Sequence, residues 1–191
     1  MAAQFGLFRP CHALYIYRSM LILQKKLRLP ALLSVMLTAL LLSSPAFAAC
    51  TDTPAPGVDW QRCYLDKRHF QEANLTGANL RGAFFARSDF TAANFTAIDG
   101  RRAKFVSAIL NQARFDKARL IGADFTTAAL NGASFREADL RRARFFRADL
   151  RGADFSGATL GGTDFLKADL SGATWIDGQT ICPEGSIGQC N

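Results

Sequence analysis

A five-residue repeat of large apolar side chains is the feature that most constrains how this chain can fold. From Phe70 to Trp175 there are 22 residue numbers divisible by five, and 11 of these residues are Phe and nine are Leu. Only Gly100 and Trp175 differ. Ala stands two residues earlier in 18 of the 22 cases. Because no insertion shifts this register, one small structural unit must repeat without interruption.

A period of five fits neither an α-helix nor a flat β-strand. Residues five apart on an α-helix point about 140° away from each other, so the apolar positions would wind around the whole surface. In a flat strand, alternate repeats would place their large residues on opposite faces. A chain that turns one corner every five residues keeps every large side chain inside. Four such corners close a square coil, with Ala fitting beside each large residue.

The alternation of Phe and Leu favours a square coil over a triangular one. From Phe105 to Leu170 the large residue alternates strictly between the two types. A square coil of four repeats stacks like on like, whereas a triangular coil of three would place Phe above Leu. One predicted stack contains Phe85, Phe105, Phe125, Phe145 and Phe165, and the opposite one contains Phe95, Phe115, Phe135, Phe155 and Trp175.

Several repeats carry a recognisable signature. Residues 73–77, 138–142, 148–152 and 168–172 read A-(D/N)-(L/F)-x-x. Over about 110 of its 191 residues the chain therefore resembles the pentapeptide-repeat family. The resemblance implies an all-β fold, a right-handed quadrilateral parallel β-helix. The segment from Trp175 to Cys190 also resembles the tail of exported bacterial members.

The start of the chain is typical of a secretory signal. A basic segment ending at Arg28 precedes a short apolar stretch over 29–42, and Ala46-Phe47-Ala48 supplies a small-x-small cleavage site. An uncleaved membrane anchor is the alternative, but this stretch is shorter than the roughly 20 apolar residues that span a bilayer. A start at Met20 gives the basic region ordinary dimensions. We therefore expect a periplasmic or secreted protein.

The sequence divides into four parts on this interpretation. We predict a signal region over 1–48, an N-terminal cap over 49–64, the β-helix over 65–175 and a disulfide-closed C-terminal cap over 176–191. A solenoid needs such caps because its terminal coils expose unpaired backbone.

The net charge of +7 is misleading as a guide to partners. The presequence holds five of the 23 basic residues and none of the 16 acidic ones, which leaves the mature part at +2. Global basicity therefore does not indicate nucleic acid, and we expect no nucleic-acid partner.

Four cysteines remain after Cys11 is removed with the presequence, and they form two pairs at the ends of the mature chain. An even number in an exported protein predicts disulfides, with three connectivities open for Cys50, Cys63, Cys182 and Cys190. Neighbour pairing requires no long-range closure. Cys50 also stands in a loose lipobox, but Phe47 fits that motif poorly and acylation would leave Cys63 unpaired.

Gly100 is the one interior position that lacks a large side chain. Ile98 replaces the usual Ala beside it. Volume compensation is the favoured explanation because cores tolerate exchanges that conserve volume. A bulge that separates the first coils from the rest is the alternative.

The sequence offers little for catalysis. His69 is the only histidine outside the presequence, its place in the repeat points outward, and no second base accompanies it. Zinc would require the four cysteines together, but they lie at opposite ends. The repeated Asp residues suit corner hydrogen bonds. We predict neither an enzyme nor a cofactor site.

Two outer surfaces are candidate interaction sites. The first is an apolar line, interrupted by Asp124 and Thr126, that suits a protein partner or a homodimer; it consists of Phe84, Val106, Phe146 and Leu166. Scattered exposed hydrophobic residues are the alternative explanation.

The second surface is basic. Six of its arginines share the side of the coil that carries Gly100, namely Arg81, Arg101, Arg102, Arg119, Arg141 and Arg142. Arg144 and Arg147 lie round the corner. This side suits an anionic envelope component, such as lipopolysaccharide, or an acidic protein. An ordinary solvated wall, in which Asp99 and Asp139 offset part of the charge, is the alternative.

Two functions follow from these observations. The first is a non-catalytic exported scaffold or interaction solenoid of the bacterial envelope. The second comes from the resemblance, which implies DNA-mimicking proteins that protect gyrase. Such mimicry requires a strongly acidic rod, and this mature chain is at +2.

Overall fold

The computed structural model describes residues 50–190, which wind into square coils. The residue at the centre of each wall pairs in parallel with the residue 20 positions later, as Tyr64 does with Phe84. These single-residue bridges recur every five residues from Asp59 to Thr174. The predicted all-β, right-handed quadrilateral β-helix is confirmed. The predicted signal region over 1–48, with its start at Met20, lies outside the described residues.

Each of the four walls is defined by its outward-facing bridge residues. Wall 1 carries Asp59, Asn79, Asp99, Arg119, Asp139 and Thr159. Wall 2 carries Tyr64, Phe84, Lys104, Asp124, Arg144 and Asp164. Wall 3 carries His69, Asp89, Ile109, Ala129, Asp149 and Asp169. Wall 4 carries Asn74, Asn94, Arg114, Ser134, Asp154 and Thr174.

The corners are β-turns whose third residue is left-handed. At one corner between walls 1 and 2, the Ala103 N–H donates to the Gly100 carbonyl at 3.0 Å, and Arg102 has φ 59°. The residue before the large side chain often supports the next corner. For example, Asp124 Oδ1 accepts hydrogen bonds from the Thr126 N–H at 3.0 Å and from its hydroxyl at 2.6 Å. The corner role predicted for the repeated Asp residues is therefore confirmed.

The core contains two aromatic stacks that meet edge to face, with buried Leu and Ala side chains completing it. Phe105 and Phe125 are parallel within 5°, with ring centroids 5.1 Å apart. Phe115, from the opposite wall, meets Phe125 at 82° and 5.7 Å. All three side chains are fully buried. Such offset and edge contacts suit the ring quadrupole and add about 0.5–1.5 kcal/mol per pair to the burial of area.

Gly100 is compensated by its neighbours and makes no bulge. Its N–H donates to the Arg119 carbonyl at 2.9 Å, so the ladder continues in register. A Cβ at Gly100 would lie 2.9 Å from Leu120 Cδ2 and 3.1 Å from Ile98 Cδ1. Ile98 and Leu120 therefore fill the space that a large residue would otherwise take.

The N-terminal end is tied down by the first disulfide. Cys50 and Cys63 are bonded, with their Cα atoms 5.4 Å apart. Cys63 occupies a buried Ala position of wall 2. Parallel pairing already begins at Asp59, so the regular coil starts inside the segment predicted as an N-terminal cap.

The C-terminal end is only half covered. The chain turns back after Trp175, and Ile181 and Ile187 pair antiparallel with Thr174 on wall 4 and Asp169 on wall 3. The second disulfide, between Cys182 and Cys190, closes this segment. Within the described part of the chain, walls 1 and 2 have no such paired layer above residues 158–167. No helix in residues 50–190 has the length and apolar character needed to cross a membrane.

Candidate functional site

The predicted arginines lie mainly along one corner. Arg119 faces outward from wall 1. The other five line the corner between walls 1 and 2, here named corner 1–2: Arg81, Arg101, Arg102, Arg141 and Arg142. The structure thus places five of the six predicted arginines on an edge of the square coil, and wall 1 itself alternates acidic with neutral or basic residues.

Two of these arginines are fixed by the preceding Asp residues. Arg101 donates to both carboxylate oxygens of Asp99, at 2.8 and 2.7 Å, and Arg141 does the same with Asp139. These hydrogen bonds are the main reason why the pKa of each Asp carboxyl is lowered. The charges of Arg101 and Arg141 are therefore largely offset at the surface.

The remaining arginines of the corner are free of ion pairs within residues 50–190. They include Arg62, which sequence reasoning missed, together with Arg81, Arg102 and Arg142. The 20-residue length of the coil could have identified Arg62 from the sequence, because it lies two coils before Arg102 in the same column. That column alternates strictly between Arg and Gly: Arg62, Gly82, Arg102, Gly122, Arg142 and Gly162.

The glycines make room for the arginine side chains. A Cβ on Gly82, Gly122 or Gly162 would lie 3.7, 3.8 or 3.6 Å from Cγ of the arginine one coil earlier. Each arginine stem therefore rests over the following glycine. At the N-terminal part of the corner, a cleft of about 400 Å³ is lined by Gln61, Arg62, Arg81, Gly82, Arg101, Arg102 and Ile121.

The predicted apolar line is split between two columns. Val106, Phe146 and Leu166 share the corner between walls 2 and 3, named corner 2–3, where Thr126 interrupts them. Phe84 instead lies at the centre of wall 2. Leu166 is 59% exposed, and the Arg147 guanidinium lies 5.2 Å from the centroid of the Phe146 ring.

Phe84 belongs to a second group that sequence reasoning missed. Tyr64, which is 72% exposed, stacks on Phe84 with ring centroids 4.3 Å apart and planes 9° apart. On the next coil, Lys104 Nζ lies 5.0 Å from the Phe84 centroid. The signal was again the spacing, because these three residues follow one another one coil apart.

Residues 50–190 offer few side chains for catalysis or metal binding. His69 lies exposed on wall 3. Among residues 50–190, no three His, Cys, Asp or Glu side chains are grouped closely enough to hold a metal ion.

Comparison with known families gives a specific match. The family model described as "Pentapeptide repeat region" matches residues 68–145 and 98–175. Together these ranges include more than half of the 191 residues. No protein of curated function matches the chain.

Solved structures of repeat proteins are similar to the chain. HetL, a pentapeptide repeat protein involved in heterocyst differentiation regulation from the cyanobacterium Nostoc sp. strain PCC 7120, is 29% identical over 65% of this chain and 64% of that chain, with a TM-score of 0.29. Trypsin-treated QnrB1, a plasmid-mediated fluoroquinolone resistance protein, is 22% identical over 62% and 64%, with a TM-score of 0.38. The chain thus spans slightly less than two thirds of both proteins.

Proposed function

The chain belongs to the pentapeptide-repeat family, and we propose that it is an exported scaffold that binds a partner through its outer surface. Proteins of this family are non-catalytic scaffold or interaction proteins, and this chain is non-catalytic. The observation that carries the proposal is the filled interior. Phe and Leu side chains occupy it with no room for a substrate, so any binding takes place on walls and corners.

Corner 2–3 is the surface that best suits a protein partner. Exposed Leu166 and half-buried Phe146 lie one coil apart there. Neighbouring apolar side chains of this kind supply the buried centre of an interface, and the adjacent Arg147 supplies a polar rim. A second copy of the chain is the other occupant that this surface suits.

Replacing Phe146 and Leu166 by Asp tests this surface. We expect the double variant to lose capture of periplasmic proteins in an affinity pull-down, or to lose self-association. Ile109→Asp with Ile176→Asp is the matched control, because both isoleucines are exposed apolar residues on other sides. Equal partner capture by both variants would remove corner 2–3 from the proposal.

Export is supported by the arrangement of the cysteines. The Cys50 sulfur is bonded to Cys63, and this bond uses the sulfur atom to which a lipid would be attached. Two disulfides suit an oxidising compartment. Cell fractionation should find the processed protein in the periplasm or the medium. Its mass without reductant should be lower than the reduced mass by four hydrogens.

A gyrase-protecting DNA mimic is the competing function. Its test is the same fractionation, because gyrase is cytoplasmic. Charge weighs against mimicry, since corner 1–2 carries arginines and the mature chain is at +2. An uncleaved protein found in the cytoplasm would favour this function over the exported scaffold.

A further inference from the structure

We propose that corner 1–2 is a binding site for an acidic polysaccharide, a linear glycan with regularly spaced sulfate or carboxylate groups. The site runs parallel to the coil axis and uses Arg62, Arg102 and Arg142, with Arg81 beside the first two. This binding does not depend on export or on a protein partner, so it can fail or succeed independently of the proposed function.

The spacing of the three arginines suits a repeating linear ligand. Arg62, Arg102 and Arg142 occupy the same turn position two coils apart. Neighbouring strands lie about 4.8 Å apart, so these residues recur at roughly 10 Å along the corner. That distance is close to the length of a disaccharide unit, the repeat at which many acidic glycans carry their charge.

The charge of the corner is available to a ligand. All three arginines are exposed, and they form no ion pair with any residue in the range 50–190. The two columns that make up the corner contain no acidic residue. The arginine stems rest over the glycines between them, and the cleft near Arg62 and Arg81 is large enough to admit part of a sugar chain.

The neighbouring walls favour a linear ligand over a flat anionic surface. Wall 1 presents Asp59, Asp99 and Asp139 around Arg119, and wall 2 presents Asp124 and Asp164 together with Lys104 and Arg144. A membrane lying against this edge would approach these carboxylates as well as the arginines. A single polymer chain can follow the corner and avoid most of them, because attraction between charges falls steeply with distance in salt.

The aromatic residues beside the corner argue against single-stranded nucleic acid. Proteins that bind single strands stack bases on exposed aromatic faces. Phe84 lies on wall 2 beside the corner, and its two faces are covered by Tyr64 and Lys104. The corner therefore offers regularly spaced charge without a row of open stacking faces.

Binding to dextran sulfate tests the proposal, with neutral dextran as the reference polymer. We expect the oxidised protein to bind immobilised dextran sulfate and to bind less tightly as salt is raised. The triple variant R62Q/R102Q/R142Q should bind about tenfold more weakly or worse. Glutamine suits this turn position, since Gln112 adopts φ 58° in the same slot of another corner.

The matched control is K67Q/R87Q/K167Q. Lys67, Arg87 and Lys167 also have positive φ, lie in the equivalent turn position of corner 2–3, and give the same loss of three charges. We expect less than about a twofold change for this variant. Circular dichroism must show the same fold for both variants.

Three results would overturn the assignment. The two triple variants could weaken binding equally, which would mean that net charge and not corner 1–2 attracts the polymer. Neutral dextran could bind as well as dextran sulfate. An oligothymidylate could bind more tightly than dextran sulfate at the same salt, which would make the corner a nucleic-acid site.

Discussion

The interior and the exterior of the coil obey different rules, although they alternate along the same few residues. Inside, Phe125 stacks on Phe105 and Phe145 at 5.1 and 4.9 Å, and each coil repeats the one before it. On the outer face of wall 2, beside this stack, the bridge residues are Lys104, Asp124 and Arg144. Each interior column therefore repeats the same type of side chain, whereas the charge and polarity of the exterior columns change from coil to coil.

This difference separates the positions that the fold determines from the positions whose side chains are available for binding. A close-packed core tolerates few changes of volume, so it fixes the repeat. Exposed positions on a bridge or a corner contribute little to packing, so their side chains are free to serve a partner. The regular Arg and Gly alternation of corner 1–2 is therefore informative, because the fold does not require it.

The largest effect should come from emptying the core. Phe125→Ala removes a fully buried ring from the centre of its stack, and we expect a loss of about 3–5 kcal/mol in the free energy of unfolding. Phe146→Ala, an outward Phe one coil later, should cost less than about 1 kcal/mol. Chemical denaturation of both variants measures the contrast, and equal losses would refute the division into interior and exterior.

Removing a disulfide tests how firmly an outer segment is held to the core. Cys182 is buried and Cys190 belongs to the layer that covers walls 3 and 4. Replacing both by Ser should cost about 2–3 kcal/mol, the value expected for opening so short a loop. An unchanged denaturation midpoint would show that packing alone holds this layer in place.

Restoring a large side chain at Gly100 should also change the free energy of unfolding measurably. Gly100→Leu alone should destabilise the protein by about 1–3 kcal/mol, because the space is already taken by Ile98 and Leu120. Adding Ile98→Ala should recover much of that loss by returning to the common pattern. If the two substitutions were additive in a double-mutant cycle, the two residues would not be compensating each other.

The smallest effect should come from the exposed ion pairs. Hydrogen bonds from the arginine two residues later lower the pKa of Asp99, Asp139 and Asp149. A lowered folded pKa means that the pairs stabilise the fold above the unfolded value near 3.9 and lose that effect as pH falls through the folded value.

Urea denaturation from pH 7 to pH 2 measures this loss. Replacing the three Asp residues by Asn should flatten the decline below about pH 4, with a contribution of less than about 1 kcal/mol per pair. Asp59→Asn is the control, because Gln61 stands where the other three have Arg. A decline as steep in the triple variant as in the control would contradict the assignment to these pairs.

Much of the fold followed from the sequence because the core is periodic. The Phe and Leu register determined the coil length, and the place of Ile98 beside Gly100 suggested compensation. The direction of Arg101 toward Asp99, the covering of Phe84 by Tyr64 and the half-covered C-terminal end did not follow. Each depends on side-chain conformations or on a segment without repeat, which the five-residue pattern does not determine.

Cross-linking between coils tests the central claim most directly. Ile109 and Ala129 form a bridge on wall 3, so cysteines introduced at both positions should form a disulfide under mild oxidation. Cysteines replacing Arg114 and Ala129, which lie on different walls and which only a triangular coil would stack, should not. Peptide mapping without reductant measures both. Linkage of the first pair alone is the result that the square coil predicts, and linkage of the second pair alone would contradict it.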